Sequence, residues 1–137
     1  MIVNIFVFLF LFLMNTGTVV IEVNGLKNTD GQLFISLYNN ADDFPEVDKE
    51  YLIIVVDSIP GTTVKVRFED IPYGDYAMAM FHDENRSGKI DKNFIGIPKE
   101  GYCFSRNFKP VLSAPDFEDC SFSLAADSIV IVSKVIY

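Results

Sequence analysis

A chain of 137 residues, half of them apolar and 13 of them phenylalanine, holds enough material for one packed core, and no shift in composition divides it in two. Acidic side chains outnumber basic ones by 19 to 11. The resulting net charge of −8 argues against nonspecific binding to nucleic acid or anionic lipid and favours solubility and cations.

Met1 to Met14 is nearly all Ile, Val, Phe and Leu and ends in the small polar cluster Asn15-Thr16-Gly17-Thr18. That is the pattern of a secretory leader, residues 1–17, ahead of one domain at residues 18–137. No Lys or Arg precedes the run, and an uncleaved anchor is the competing reading, but the run falls short of the roughly 20 apolar residues that span a bilayer. The expected location is the periplasm or the exterior, with no stable membrane span once the leader is removed. No cysteine closes the apolar run, so a lipid anchor is not indicated.

Beyond the leader the period is that of strands. Leu33, Ile35 and Leu37 lie two apart; Val64, Val66 and Phe68 alternate with Lys65, Arg67 and Glu69; Cys120, Phe122 and Leu124 alternate with Asp119, Ser121 and Ser123. Residues 51–56, 76–81 and 129–132 are apolar on both faces and are expected to be central strands. Turn signals at Asn28-Thr29-Asp30-Gly31, Ile59-Pro60-Gly61, Pro72-Tyr73-Gly74-Asp75 and Ala125-Ala126-Asp127-Ser128 separate these runs. No capped helical stripe of useful length occurs, and Ala41 to Lys49 offers at most one turn. About seven short strands between Gly and Pro turns predict an all-β fold, an antiparallel β-sandwich. The longest irregular stretch runs from Asp83 to about Asp116, with an extended piece at Phe94-Ile95-Gly96-Ile97. Long ordered loops usually carry function.

That stretch opens with the most informative residues of the chain. Counting from Asp83, oxygens fall at Asp83, Asn85, Ser87, the Lys89 carbonyl and Asp91, with Gly88 at the bend, which is the order of a calcium loop through its ninth position. The twelfth position is Phe94, not a bidentate glutamate, and the flanks read as strands, so the helical form of the motif is excluded. Asp116, Glu118, Asp119 or Glu100 could complete the shell. So few carboxylates predict weak calcium binding, on the order of 10⁻⁴ to 10⁻³ M. The bland alternative is a hairpin tip whose side chains satisfy turn amides while Gly88 takes a positive φ.

The only histidine, His82, closes the strand before this loop and reads as a hydrogen-bonded structural residue, since no second His or Cys completes a zinc set. No nucleophile elbow and no phosphate-cradling glycine loop occurs. Asp42/Asp43 and Glu118/Asp119 could serve hydrolysis only across a cleft. Phe94, Tyr102, Phe104, Phe108 and Phe117 either line a ligand groove or pin the long loop to the sheet. Cys103 and Cys120 are either two buried thiols or, in an oxidising compartment, a disulfide that would contribute about 3 kcal/mol.

In chain order, Gly25-Leu26, Gly31-Gln32, Phe68-x-x-Ile71-Pro72-x-Gly74-x-Tyr76-Ala77, Phe81-His82-Asp83-Glu84-Asn85, Asp91-x-Asn93-x-x-Gly96-Ile97-Pro98-Lys99-Glu100-Gly101-Tyr102, Phe104-Ser105 and Phe117-Glu118-Asp119 span nearly the whole mature chain. The succession resembles the bacterial domain-of-unknown-function family 2141 (DUF2141). The resemblance implies an exported bacterial sandwich of transthyretin-like or immunoglobulin-like type with no established activity. Cys103 and Cys120 depart from the family's pattern at positions expected to be small, and such paired departures fit a disulfide between the two segments. Arg86 stands where the family has glycine. The expected function is a binding or structural module for an extracellular or envelope ligand, its loop ordered by calcium and presenting Tyr102 and Phe104. A carbohydrate-active hydrolase using paired carboxylates is the alternative.

Overall fold

A computed structural model of the chain describes residues 14–90 and 99–137. Among these residues eight strands form: β1 (Thr16–Asn24), β2 (Gln32–Tyr38), β3 (Leu52–Val56), β4 (Val64–Pro72), β5 (Gly74–Asp83), β6 (Tyr102–Phe104), β7 (Phe122–Leu124) and β8 (Ser128–Lys134), with one helical turn, α1 (Phe117–Cys120). One sheet has the order β4-β1-β8; the other has the order β3-β2-β5-β6, with β7 paired to the first residues of β5. Every pairing is antiparallel except β1 with β8. The all-β sandwich expected from the alternation is what forms.

The alternation also fills the core. Val19, Ile21 and Val23 of β1 and Val64 and Phe68 of β4 face Leu33, Ile35 and Leu37 of β2 and Met78 and Met80 of β5, all of them buried. Each such side chain contributes on the order of 1.5–3 kcal/mol by leaving water. The period slips once, on β4: Phe68 and Ile71 both point inward although they lie three positions apart, because Asp70 takes a positive φ of 56° and inserts a bulge opposite Thr18.

Several expected placements change. The runs at 51–56 and 129–132 form β3 and β8, which end their sheets' pairing orders instead of lying centrally. Their second apolar faces stay accessible, with Ile53, Val55, Val130 and Val132 each exposed. Only β5, between β2 and β6, is central as expected. Cys120 ends α1 and does not begin a strand, because the Asp119 carboxylate accepts the Asp116 backbone N–H at 3.2 Å and turns the chain there. The long stretch after Asp83 is interrupted by β6; the extended piece expected at 94–97 lies outside the described residues. Strand β1 begins at Thr16, two residues ahead of the expected domain start, and Thr16 and Gly17 pair with Pro72 and Ile71.

Gly31 shows how tightly the β1–β2 turn meets the end of β5. Its φ is +68°, and a Cβ there would fall on the Asp83 carbonyl oxygen, which is backbone and cannot yield. Gly61 has ordinary φ and open space around it. In urea denaturation Gly31→Ala should lose about 2 kcal/mol or more, while Gly61→Ala stays within about 0.5 kcal/mol of the parent.

Candidate functional site: an aromatic groove beside the acidic loop

Because strand side chains alternate, the residues between the core positions of the five-stranded sheet face away from the sandwich. In most sandwiches that face is polar and wet. Here it carries Phe34, Ser36 and Tyr38 from β2, Ile53 and Val55 from β3, Ala77, Ala79 and Phe81 from β5, and Tyr102 and Phe104 from β6. The register sets Phe34 beside Phe81, Ser36 beside Ala79, Phe81 beside Tyr102 and Ala79 beside Phe104. The rings of Phe34 and Phe81 stack at 4.6 Å, only 8° from parallel, and those of Tyr102 and Phe104 meet edge-on at 5.9 Å.

One end of this face is roofed. Phe44 lies edge-on to Tyr38 at 5.2 Å and to Phe104 and Phe117 at 6.0 Å, and with Ala77, Phe108 and Cys120 these residues make a second small core. Phe104, Phe108 and Phe117 thus pin the late loop to the sheet, one of the two roles expected of the aromatic residues. Beyond the roof a groove of about 400 Å³ remains, floored by Phe34, Ser36, Ala79, Phe81, Tyr102 and Phe104. That volume is typical of small-molecule sites. One wall brings Val47, Asp48 and Glu50, another brings Gly88 and Ile90, and the strongly exposed Val111 and Leu112 overhang it. Burial, followed by the charges of Glu50, Asp48 and Glu46, pushes the Tyr38 phenol up to about 12 against a lesser opposing hydrogen bond with Ser36, which marks this end as a region of negative potential. Of these residues only Tyr102 and Phe104 were legible as candidates in the sequence.

The acidic loop forms the Gly88–Ile90 wall. Asp83 is fully buried, and its carboxylate accepts Gln32 Nε2 at 3.0 Å, the Ser87 N–H at 3.0 Å and the Gly88 N–H at 2.9 Å, with Ser87 Oγ lying 3.3 Å away. Asn85 Oδ1 also accepts the Ser87 N–H, at 3.1 Å, and the Ser87 hydroxyl donates to the Lys89 carbonyl at 2.7 Å. Of the expected calcium ligands, Asp83, Asn85, Ser87 and Lys89 therefore gather their oxygens around Ser87, while Asp91 lies outside the described residues. Gly88 has the expected positive φ of 80°, and Arg86 has φ 55°, the conformation a glycine adopts freely. Arg86 offsets that strain by binding the Asp57 carboxylate and carbonyl, both at 2.8 Å, and the Gly31 carbonyl at 3.1 Å. Among the described residues no three His, Cys, Asp or Glu side chains are grouped as metal ligands.

The further ligands considered fall apart in space. Glu100 is buried beside the loop and accepts the Glu84 N–H at 2.5 Å. Asp116, Glu118 and Asp119 belong to the α1 region, which packs near Ala77, about 20 Å along β5 from Asp83 at the usual rise per residue. Neither Glu118 nor Asp119 lines the groove, and Asp119 is committed to the turn of α1. His82 is fully buried with both ring nitrogens engaged, Nε2 with the Asp30 carbonyl at 2.6 Å and Nδ1 with the Tyr137 hydroxyl at 2.9 Å. A carbonyl can only accept, so Nε2 carries the proton. The residue ties the chain's last side chain to the β1–β2 turn.

Cys103 and Cys120 are free and buried in different clusters, Cys103 in the main core and Cys120 under the roof. The disulfide suggested by their paired departure is not formed. The Ser105 hydroxyl receives the Met78 N–H at 3.0 Å and donates to the Cys120 carbonyl at 2.5 Å, fixing α1 on β5. Burial raises both thiols far above the ordinary range, Cys120 to about 12, so neither is a reactive nucleophile at neutral pH.

Burial opposes ionisation of Asp83, yet the hydrogen bonds from Gln32, Gly88 and Ser87 outweigh it and hold the carboxyl below its ordinary value of 3.8. A lowered folded-state value means stability that is present above the unfolded value and is lost as pH falls through the folded one. The protein should lose stability below about pH 4. In urea titrations Asp83→Asn should be less stable than the parent at neutral pH, and the gap should narrow as the pH falls through that window; a constant gap would contradict the assignment.

Among the described residues no helix is long and apolar enough to cross a membrane. No curated protein and no solved structure matches the chain. A family model described as an uncharacterised protein conserved in bacteria, DUF2141, matches residues 21–131, which reach from β1 into β8 and include both the groove floor and the acidic loop. The chain belongs to the DUF2141 family.

Proposed function

We propose that this domain is an exported binding module, acting in the periplasm or outside the cell, whose ligand lies in the groove on the outer face of the five-stranded sheet. One observation carries the reading. A solvated sheet face does not ordinarily align Phe34, Phe81, Tyr102 and Phe104 across three strands, and among the described residues the loops that roof one end of this face stop short of the other. The uncovered half has the volume and the apolar floor of a small-molecule site, with a few polar groups at its edge. A ligand with a flat apolar body would stack on the Phe34–Phe81 pair and leave its polar end at the rim. The neutral fluorophore N-phenyl-1-naphthylamine should bind saturably to one site. Ala79→Phe, which fills the floor without touching the main core, should weaken that binding at least about tenfold, a difference of ~1.4 kcal/mol. Absence of saturable binding by the parent protein would sink the reading.

Calcium is a second element of the proposal, favoured by the gathering of Asp83, Asn85, Ser87 and Lys89 oxygens about a single residue. An ion there would take the place of the Ser87 N–H and O–H donors that those oxygens now share and would stiffen the Gly88–Ile90 wall. Since the carboxylate is already served by protein donors, the affinity would be low. Calcium at tenfold its dissociation constant should raise the melting temperature by about 3 °C or more over the chelated protein. The combined Asn85→Ala and Ser87→Ala variant, which keeps Asp83 and its backbone bonds, should lose that increment. No increment at millimolar calcium would leave the loop as a turn held by hydrogen bonds alone.

A further inference from the structure

Among the described residues the groove is one-sided in charge. Its lining includes two carboxylates, Asp48 and Glu50, and no Lys, Arg or His among the described residues. Both acids stand on one wall, at the end where Tyr38 and Ser36 meet the floor. Among the described residues, neighbouring basic side chains do not cancel them: Lys49 is exposed and held by Glu46 at 2.7 Å, and Lys89 and Lys109 are exposed and do not line the groove. An acidic wall beside stacked aromatic faces is the composition that receives positive charge, because ring faces are electron-rich and carboxylates supply the counter-charge.

We infer that the occupant is a small organic cation, an aryl or alkyl body ending in an ammonium group, with the body on Phe34, Phe81 and Tyr102 and the charged end between Asp48 and Glu50. The inference rests on the groove being a ligand site and adds the sign of the ligand's charge. Two further features support it. The Tyr38 phenol, which borders the groove beside this wall, is made a weaker acid first by burial and then by Glu50, with Asp48 and Glu46 adding to it, so the charge of the wall is felt at this end. An anion placed there would meet two like charges close to an apolar surface, where screening by water is weaker than in bulk. The net charge of −8 adds long-range attraction for a cation and repels an anion from the whole molecule.

The test uses two probes of nearly equal shape and opposite charge, 4-phenylbutylammonium and 5-phenylpentanoate, as competitors for bound N-phenyl-1-naphthylamine. The ammonium should displace the fluorophore at a concentration about tenfold lower than the carboxylate. In the combined Asp48→Asn and Glu50→Gln variant, with each competitor's inhibition constant corrected for that variant's own fluorophore affinity, the two competitors should come within about twofold of each other. Equal competition in the parent, preference for the carboxylate, or failure of both to displace bound fluorophore would overturn the inference while leaving the groove reading standing. A cation preference that survives in the double variant would overturn the role given to Asp48 and Glu50. Failure of the neutral fluorophore itself to bind would instead remove the groove reading.

Discussion

Strand β5 is apolar on both faces, and that constraint shapes the rest of the molecule. Met78 and Met80 point into the sandwich while Ala77, Ala79 and Phe81 point away from it, so this sheet needs cover on two sides. The second sheet provides one cover. The other must come from connections, which is why residues 39–50 and 105–120 fold back over the outer face instead of turning directly into the next strand. Phe44, Phe108 and Phe117 are the anchors of that roof, each able to contribute on the order of 1.5–3 kcal/mol by burial, enough to offset the ordering of a few loop residues. Among the described residues the roof covers one end of β5 and leaves the groove at the other.

The acidic loop bounds the uncovered end, and its rigidity comes from its own polar groups. Asp83 ends β5 with a buried carboxylate that gathers the amides of Ser87 and Gly88 and reaches across to Gln32 on β2. Arg86 ties the same loop to Asp57 beyond β3, and Glu84 bonds Asn28 at 3.1 Å and Lys27 at 3.2 Å in the β1–β2 turn. Three connections are thus clamped where the groove opens. A wall built this way holds its shape without an apolar core of its own. Such preorganisation would lower the entropy cost of binding in the proposed groove.

The strands are legible in the sequence where alternation is strict, as in Val64 to Glu69 and Leu33 to Leu37, because little besides a half-buried strand produces a period of two. A run apolar on both faces suggests a central strand, which holds for β5 and fails for β3 and β8. Whether such a run is covered twice or left at an edge depends on partners distant in the chain, and no local pattern records that. Strand β6 escapes sequence reading because three residues carry too little period to stand out, and Cys120 mimics a strand residue because the Asp116–Asp119 turn interrupts an otherwise perfect alternation. The oxygens of the acidic loop are legible from spacing alone, since an Asx-type turn and a cation loop ask for the same residues. The groove is not legible: it requires Phe34, Ala79, Phe81 and Tyr102 to share a face, and only the register of β2 on β5 and of β5 on β6 brings them together.

The central claim is that the outer face of the five-stranded sheet is a ligand floor and not merely an apolar surface left over from packing. The most direct measurement is a residue-resolved amide chemical-shift map of the protein titrated with a neutral aryl ligand. Saturable shifts confined to Phe34, Ser36, Ala79, Phe81 and Tyr102, with smaller ones at Asp48 and Gly88, are the predicted result. Shifts that never saturate, or that centre on the exposed Val130 and Val132 of the opposite sheet, would contradict the account.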